Sequence, residues 1–363
     1  MPSQKRTFES RIDYSLLLPV LLLLSIGVTA IYIAVSHDYP NNVLQIVGQQ
    51  VVWILLGFLI SFIVMFFNTK FLWKMTPFLY VLGLGLMVLP LVFYSESLVA
   101  STGAKNWVSI RGVTLFQPSE FMKISYILML SRVVVKFLQQ NKKYERTIAL
   151  DLFLIVKLAL YTLPVLLLLA LQSDLGTALV FAAIYCGIVL LSGVSWKIIL
   201  PVFLTVSLLF TVFMLIFISN GGRAFLHGLG MPTYQINRIS AWLHPFEYAQ
   251  TVTYQQAQGQ IAIGSGGLLG QGFNVSNLLV PVRESDMIFT VIAEDFGFLG
   301  SSLVIVIYLF LIHRMLQITI KSNNQFYTYI STGLIMMLLF HIFENIGAVT
   351  GILPLTGIPL PFI

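Results

Sequence analysis

The chain has 363 residues, of which 58% are hydrophobic and 9% charged, with a formal net charge of +6 and a mean hydropathy of +0.91. Soluble globular domains carry about a quarter of their residues as charges, so this composition excludes a soluble enzyme and defines a polytopic membrane protein. The positive balance is then a topology signal and not affinity for nucleic acid, and the single cysteine, Cys186, allows neither a disulfide nor a cysteine metal site within one chain.

In chain order, a short polar start with Lys5, Arg6 and Arg11 leads into an apolar run over 14–35. That run is too long for a signal-peptide core and reads as a first transmembrane helix that stays attached. Further spans are expected over about 48–67, 72–94, 118–137, 152–171, 175–193, 198–219, 286–312 and 326–349, with a tenth beginning near Pro354. Threading from a cytoplasmic N-terminus puts Lys70, Lys74, Arg132, Lys136, Lys142, Lys143, Arg146, Lys197, Arg314 and Lys321 inside. It leaves Lys105, Arg111, Arg223, Arg238 and Arg283 outside, the bias that sets membrane orientation. The expected fold is therefore all-α, a single integral membrane domain over 1–363 with about ten spans in the cell membrane. A large ordered extracytoplasmic loop over 220–285 joins the seventh and eighth spans.

The first outer loop, 95–117, places Trp107 between Lys105 and Arg111, as a segment near phosphate headgroups would, although an aromatic-belt anchor has the same composition. The following Gln117-Pro118-Ser119-Glu120 sets proline in a first helical turn, with Gln117 or Ser119 able to cap. Glu120 and Lys123, three apart, face the same way and can pair, either to lock the fourth span or to line a ligand cavity. The charged run between Lys136 and Asp151 reads as a solvated cytoplasmic loop. In L-Q-S-D-L-G-T-A, Asp174 is placed to cap the next helix.

The loop over 220–285 carries the polar chemistry. Its aromatic and aliphatic residues argue for order, and Arg238, Trp242, His244, Tyr254, Gln255, Gln256 and Gln258 offer donors and stacking faces suited to a sugar or a pyrophosphate. The run G-S-G-G-L-L-G-Q-G lacks the G-K-[ST] and βαβ context of a nucleotide loop, so its glycines are expected to turn backbone tightly at a membrane surface. His227 and His244 have no acidic companion motif for zinc.

Asp286, after Arg283 and Glu284 and just before M-I-F-T-V-I-A, has two readings. It caps the next helix, or it is a base at the membrane–water boundary beside outer cations. Glu294 and Asp295, further along that helix and adjacent, point about 100° apart, so they do not share one substrate atom and need separate buried partners.

Taken together, T-G-A-K-N-W…F-Q-P-S-E-F-M-K, Q-S-D-L-G-T-A, Y-Q…A-I-G-S-G-G-L-L-G-Q-G, S-D-M-I-F-T-V-I-A-E-D-F-G-F-L-G and the ending N-I-G-A-V-T-G-I-L-P-L-T-G-I-P-L-P-F-I resemble the SEDS family of cell-wall polymerases, in order and over nearly the whole chain. The opening S-R-I-D-Y-S-L-L-L is more similar to the elongation (RodA-like) branch than to the division (FtsW-like) branch. The resemblance implies polymerisation of lipid II into peptidoglycan strands beside a class B penicillin-binding protein, and matches Asp286 to the family's essential outer-loop aspartate. It leads us to expect an inverting glycosyl transfer with Asp286 as general base. Arg238, Arg283, Lys105, Arg111, Gln255, Lys123 and Glu120 are the expected substrate-binding side chains. A divalent cation, Mg2+ or Mn2+, would be held largely by substrate phosphates, its protein ligands unassigned. A lipid-linked precursor transporter and a non-catalytic scaffold are the competing classes, and no internal repeat of the transporter kind is visible. Members of the family continue past P-L-P-F-I, so full activity is expected to need residues beyond Ile363.

Overall fold

A computed structural model describes residues 12–96, 98–99, 103–110, 113–247, 253–275 and 279–363. Twelve helices and one small hairpin lie among the described residues: α1 Tyr14–Asp38, α2 Val43–Val64, α3 Thr69–Val92, β1 Val108–Ile110, β2 Val113–Phe116, α4 Pro118–Gln140, α5 Ile148–Leu171, α6 Leu175–Leu191, α7 Trp196–Ile218, α8 Gly222–Gly228, α9 Thr233–Leu243, α10 Tyr254–Ser265, α11 Ile288–Lys321 and α12 Gln325–Val349. Seven of them are long and apolar enough to cross a membrane. The other two expected spans are also helical. However, α6 has only 17 residues, and α4 carries Glu120, Lys123, Arg132 and Lys136 among its apolar residues. In the most apolar 18 residues of α2 and of α7 no residue is buried, so their Leu, Val, Ile and Phe side chains are the surface a bilayer would solvate.

The chain divides into two compact units. The first comprises residues up to Phe71, Ala241–Asn323 and His341–Ile363. Its core is built by α1 packed on α11, with α10 on the same helix. Leu23, Ile33 and Val35 meet Met287, Ile288, Val291, Ile292 and Tyr308, together with Ala262 and Leu360. An ion pair that the sequence reading did not foresee closes one end of this unit. Arg314 donates from Nε to Asp13 Oδ1 at 3.1 Å and from a terminal nitrogen to Asp13 Oδ2 at 2.7 Å, while Asp13 also caps α1 through Leu16 N.

The hydrogen bonds from Arg314 hold the Asp13 carboxyl below its ordinary value of 3.8. A carboxylate with a depressed folded pKa contributes stability that is present above the unfolded pKa and lost as pH falls through the folded one. Asp13→Asn should therefore lower the melting temperature slightly at pH 7, by less than about 3 °C for a pair that is only half-buried. The gap to the native protein should close as pH is lowered through the acid side of the carboxylate range. Thermal unfolding in detergent at pH 7 and pH 3 measures this, and a gap that widens in acid would refute it.

The second unit comprises Leu72–Ser240 and Asn324–Phe340. Here α4, α5 and α6 pack together around Tyr126, Leu130, Leu158, Phe181 and Ile184, and the Tyr126 hydroxyl shares a hydrogen bond with Thr162 Oγ1 at 2.7 Å. Asp174 caps α6 as expected, accepting from Thr177 N at 3.0 Å and Thr177 Oγ1 at 2.9 Å. It also accepts from Asn106 Nδ2 at 2.8 Å, and Gln172 O accepts from Lys105 N at 2.8 Å, so the same turn ties down the first outer loop. Asp151 is buried between Arg146 Nε at 2.7 Å and Ser195 N at 2.8 Å. Part of the charged run before it is thus structural rather than merely solvated.

A tenth helix does not begin at Pro354: residues 352–363 have neither helix nor strand. Pro354, Pro359 and Pro361 remove three donors in eight residues and push the residues before them out of the helical region. The segment is nonetheless packed, with Ile358 and Leu360 buried and Tyr308 donating its hydroxyl to Pro361 O.

Candidate active site

The site in the first unit is built on a broken helix. Within α11, Gly297 leaves helical geometry at φ 62° and ψ −157°, which interrupts the i→i−4 ladder in a membrane-length helix. Groups freed in this way must find partners inside the protein, because hydrocarbon offers none. The glycine-rich run supplies them. Gln271 N donates to Glu294 O at 2.9 Å and Gly272 N to Asp295 O at 3.2 Å, while Phe298 N and Leu299 N donate to Gly267 O and Leu268 O at 2.9 and 3.1 Å. A Cβ on Gly270 would overlap Asp295 O, and one on Gly297 would overlap Gly270 N, so both positions require glycine for close approach. The run turns tightly at the surface over 266–269, as expected from its sequence, and it is also a backbone patch over the helix break.

The two carboxylates just before the break each have a partner. Asp295 Oδ2 accepts from Asn274 N at 2.8 Å, and Asn274 O lies 3.2 Å from His37 Nε2 at the end of α1. Glu294 is fully buried and pairs with the guanidinium of Arg283, also fully buried. This corrects the expectation that Arg283 serves as an outer substrate cation: a guanidinium removed from water is stable only against a partner charge, and Glu294 is that partner. The charge on Arg283 also acts on Asp38 and Asp295. Beside it, the Glu284 carboxylate pushes the Tyr39 phenol above its ordinary value.

Asp286 lies in the turn over 281–287 that precedes α11. The N-cap position belongs to Met287, so Asp286 stands one residue outside the position that the helix-cap reading gave it. Its main chain is held from α12 instead: Asn345 Nδ2 donates to Asp286 O at 2.7 Å and to Ile358 O at 2.9 Å. Gly357, at φ +81°, faces the acid: a Cβ built there would make ordinary contact with Asp286 Oδ2, at 3.8 Å. Gln255 Nε2 donates to Pro281 O at 3.3 Å and the Tyr254 hydroxyl to Leu279 O at 3.4 Å. Of the expected substrate contacts, Gln255 is thus placed as a support of this turn.

The first unit therefore brings Asp286, Arg283 and Gln255 together. Lys105, Glu120, Lys123 and Arg238 belong to the second unit, and Arg111 lies outside the described residues. Lys105 Nζ sits 4.5 Å from the centre of the Tyr94 ring. Lys123 Nζ meets Glu120 Oε2 at 2.9 Å, its side chain 4% exposed against 58% for the acid, so the expected pairing is present. Arg238 is half-buried on α9. No group of three or more His, Cys, Asp or Glu placed to hold a metal ion occurs among the described residues. The residues that sequence reasoning missed are Glu344, Asn345 and Gly357. Two adjacent polar residues inside an apolar span were the available signal, because such groups are costly in a membrane and need a job.

These features define a polytopic integral membrane protein in which one carboxylate is held at the start of a broken, glycine-patched helix. The family model FTSW_RODA_SPOVE, described as cell cycle protein, matches residues 14–363, and the chain belongs to that family. It is 31% identical over 365 residues to the peptidoglycan glycosyltransferase MrdB of Escherichia coli (strain K12), covering 99% of this chain and 90% of that one. To the stage V sporulation protein E of Bacillus subtilis (strain 168) it is 27% identical, covering 97% and 91%. Among solved structures, a chain of a peptidoglycan synthase complex that coordinates polymerization and crosslinking superposes with a TM-score of 0.75 at 25% identity, over 96% and 90% of the two chains. The rod shape determining protein RodA of Thermus thermophilus gives 0.64 at 25% identity, over 96% and 89%.

Proposed function

We propose that this chain is a peptidoglycan glycosyltransferase that polymerises lipid II on the outer face of the cell membrane, with Asp286 as general base. The observation that carries the reading is the way carboxylates are distributed around the break in α11. Glu294 is committed to Arg283 and Asp295 to Asn274 N. Asp286 is half-buried, stands one residue ahead of the N-cap of α11 and is held by its main chain. That is the arrangement a base requires: a fixed backbone and a carboxylate within reach of the outer surface.

In this mechanism the acceptor 4-hydroxyl attacks the anomeric carbon of the donor sugar, forming the new glycosidic bond. The bond from that carbon to undecaprenyl pyrophosphate breaks, the hydroxyl proton passes to the Asp286 carboxylate, and the anomeric configuration inverts. The leaving pyrophosphate needs positive charge. Lys105, Arg111 and Arg238 are the cations that the sequence offers for it, and Mg2+ or Mn2+ would be held mainly by phosphate oxygens and water. We assign the chain to cell elongation, alongside a class B penicillin-binding protein, on the strength of its N-terminal sequence and its likeness to MrdB. The test is a product gel with fluorescent lipid II, using full-length protein and its partner purified in detergent, where transbilayer flipping has no meaning. A ladder of glycan strands is expected. Lipid II left unpolymerised by an intact complex, yet moved across vesicle membranes, would replace the polymerase with a transporter.

A further inference from the structure

We infer that Asn345 is a positioning residue for the Asp286 carboxylate, an assignment that rests on reading Asp286 as the base. Asp286 stands ahead of α11, in a turn whose main chain the helix ladder does not fix. Asn345 is 2% exposed, and both hydrogens of its amide nitrogen are used, on Asp286 O at 2.7 Å and on Ile358 O at 2.9 Å. Both partners are carbonyl oxygens that only accept, so the nitrogen and not the oxygen of the amide must face them.

The neighbouring residue completes the grip. Glu344 accepts the hydroxyl of Thr356, so two consecutive residues of α12 hold positions 356 and 358, on either side of Gly357. A Cβ built on that glycine would make ordinary contact with Asp286 Oδ2, at 3.8 Å, so this segment faces the acid. Its positive φ is what favours glycine there. Asn345 thus sets the main-chain position of Asp286 and also the segment its carboxylate faces.

The residue type is restrictive. Leucine has similar bulk and no donor. Aspartate would set a carboxylate against two carbonyl oxygens. Glutamine keeps the donor but reaches one methylene too far. A base serves its hydroxyl only within about 2.6–3.2 Å, and a misplacement of about 1 Å costs on the order of 10²-fold in rate. The competing role for Asn345 is only to tie the last residues to α12.

The experiment compares Asn345→Leu, Asn345→Gln and Asp286→Asn in full-length protein with its partner. It reads kcat and KM for lipid II, melting temperature, and hydrogen exchange of peptides covering 281–287 and 355–360. Asn345→Gln should keep the native melting temperature and slow exchange, yet lose about tenfold in kcat with KM within about twofold. Asn345→Leu should lose about 10²-fold in kcat, with faster exchange confined to those two segments. The inference is overturned if either variant is folded with native kcat. It is equally overturned if activity falls only in step with melting temperature while exchange rises throughout α11 and α12. An Asp286→Asn protein that polymerises normally removes the base reading and this inference with it. An inactive Asp286→Asn beside a fully active Asn345→Leu removes this inference alone.

Discussion

Asp286→Asn should reduce glycan polymerisation by about 10²–10⁴-fold, the usual worth of a positioned general base, while the protein accumulates, melts and binds its partner as before. The substitution keeps the side chain's shape and leaves the Asp286 carbonyl available to Asn345. It removes only the capacity to take a proton. Asparagine caps helices about as well as aspartate, so a purely capping role would predict no loss, but the cap position belongs to Met287 and lacks a side-chain bond. Asp286→Glu should recover little, because one added methylene displaces the carboxylate by about 1 Å from the position in which it serves the acceptor hydroxyl. Product gels with labelled lipid II, run beside a melting curve and partner pull-down for each variant, decide the matter. Robust polymer from Asp286→Asn would end the proposal that this residue is the base.

The spans were readable because an apolar run of about 20 residues matches the thickness of a bilayer's hydrocarbon core. The expected ranges 175–193 and 326–349 differ by at most two residues from Leu175–Leu191 and Gln325–Val349. The fifth span was placed too late by four residues, since Thr147 caps a helix that begins at Ile148. Asp174 was legible as a cap because its partner, Thr177, is local in sequence. Non-local pairings were not legible. Arg283 and Glu294 stand eleven residues apart across a turn and a helix start, and nothing in either segment says that one answers the other. The break at Gly297 hid inside an apolar run, and the run that patches it looked like an ordinary loop. The strands Val108–Ile110 and Val113–Phe116 carried a signal that went unused, β-branched and apolar residues in alternation. Only the resemblance to a family marked Asp286 as special; Asn345, which holds it, opens the C-terminal stretch that carries the same resemblance, but nothing there gave it a role.

Arg283→Met should be the most damaging single change to folding in the first unit. Arg283 and Glu294 are both fully excluded from solvent, and removing one member of such a pair strands the other charge at a cost of about 3–5 kcal/mol. The protein should accumulate poorly in the membrane, and what remains should melt well below the native temperature. Pairing the change with Glu294→Met should recover much of the loss, since a buried ion pair is often replaceable by apolar residues of similar volume. Recovery should stop short of native, because the charge on Arg283 also acts on Asp38 and Asp295, which the double variant leaves without it. Membrane accumulation and thermal unfolding of the two single variants and the double variant form a cycle in which the coupling between the residues is read directly. The opposite pattern, an Arg283→Met protein with native stability and a raised KM for lipid II, would return Arg283 to the substrate and contradict the buried pair.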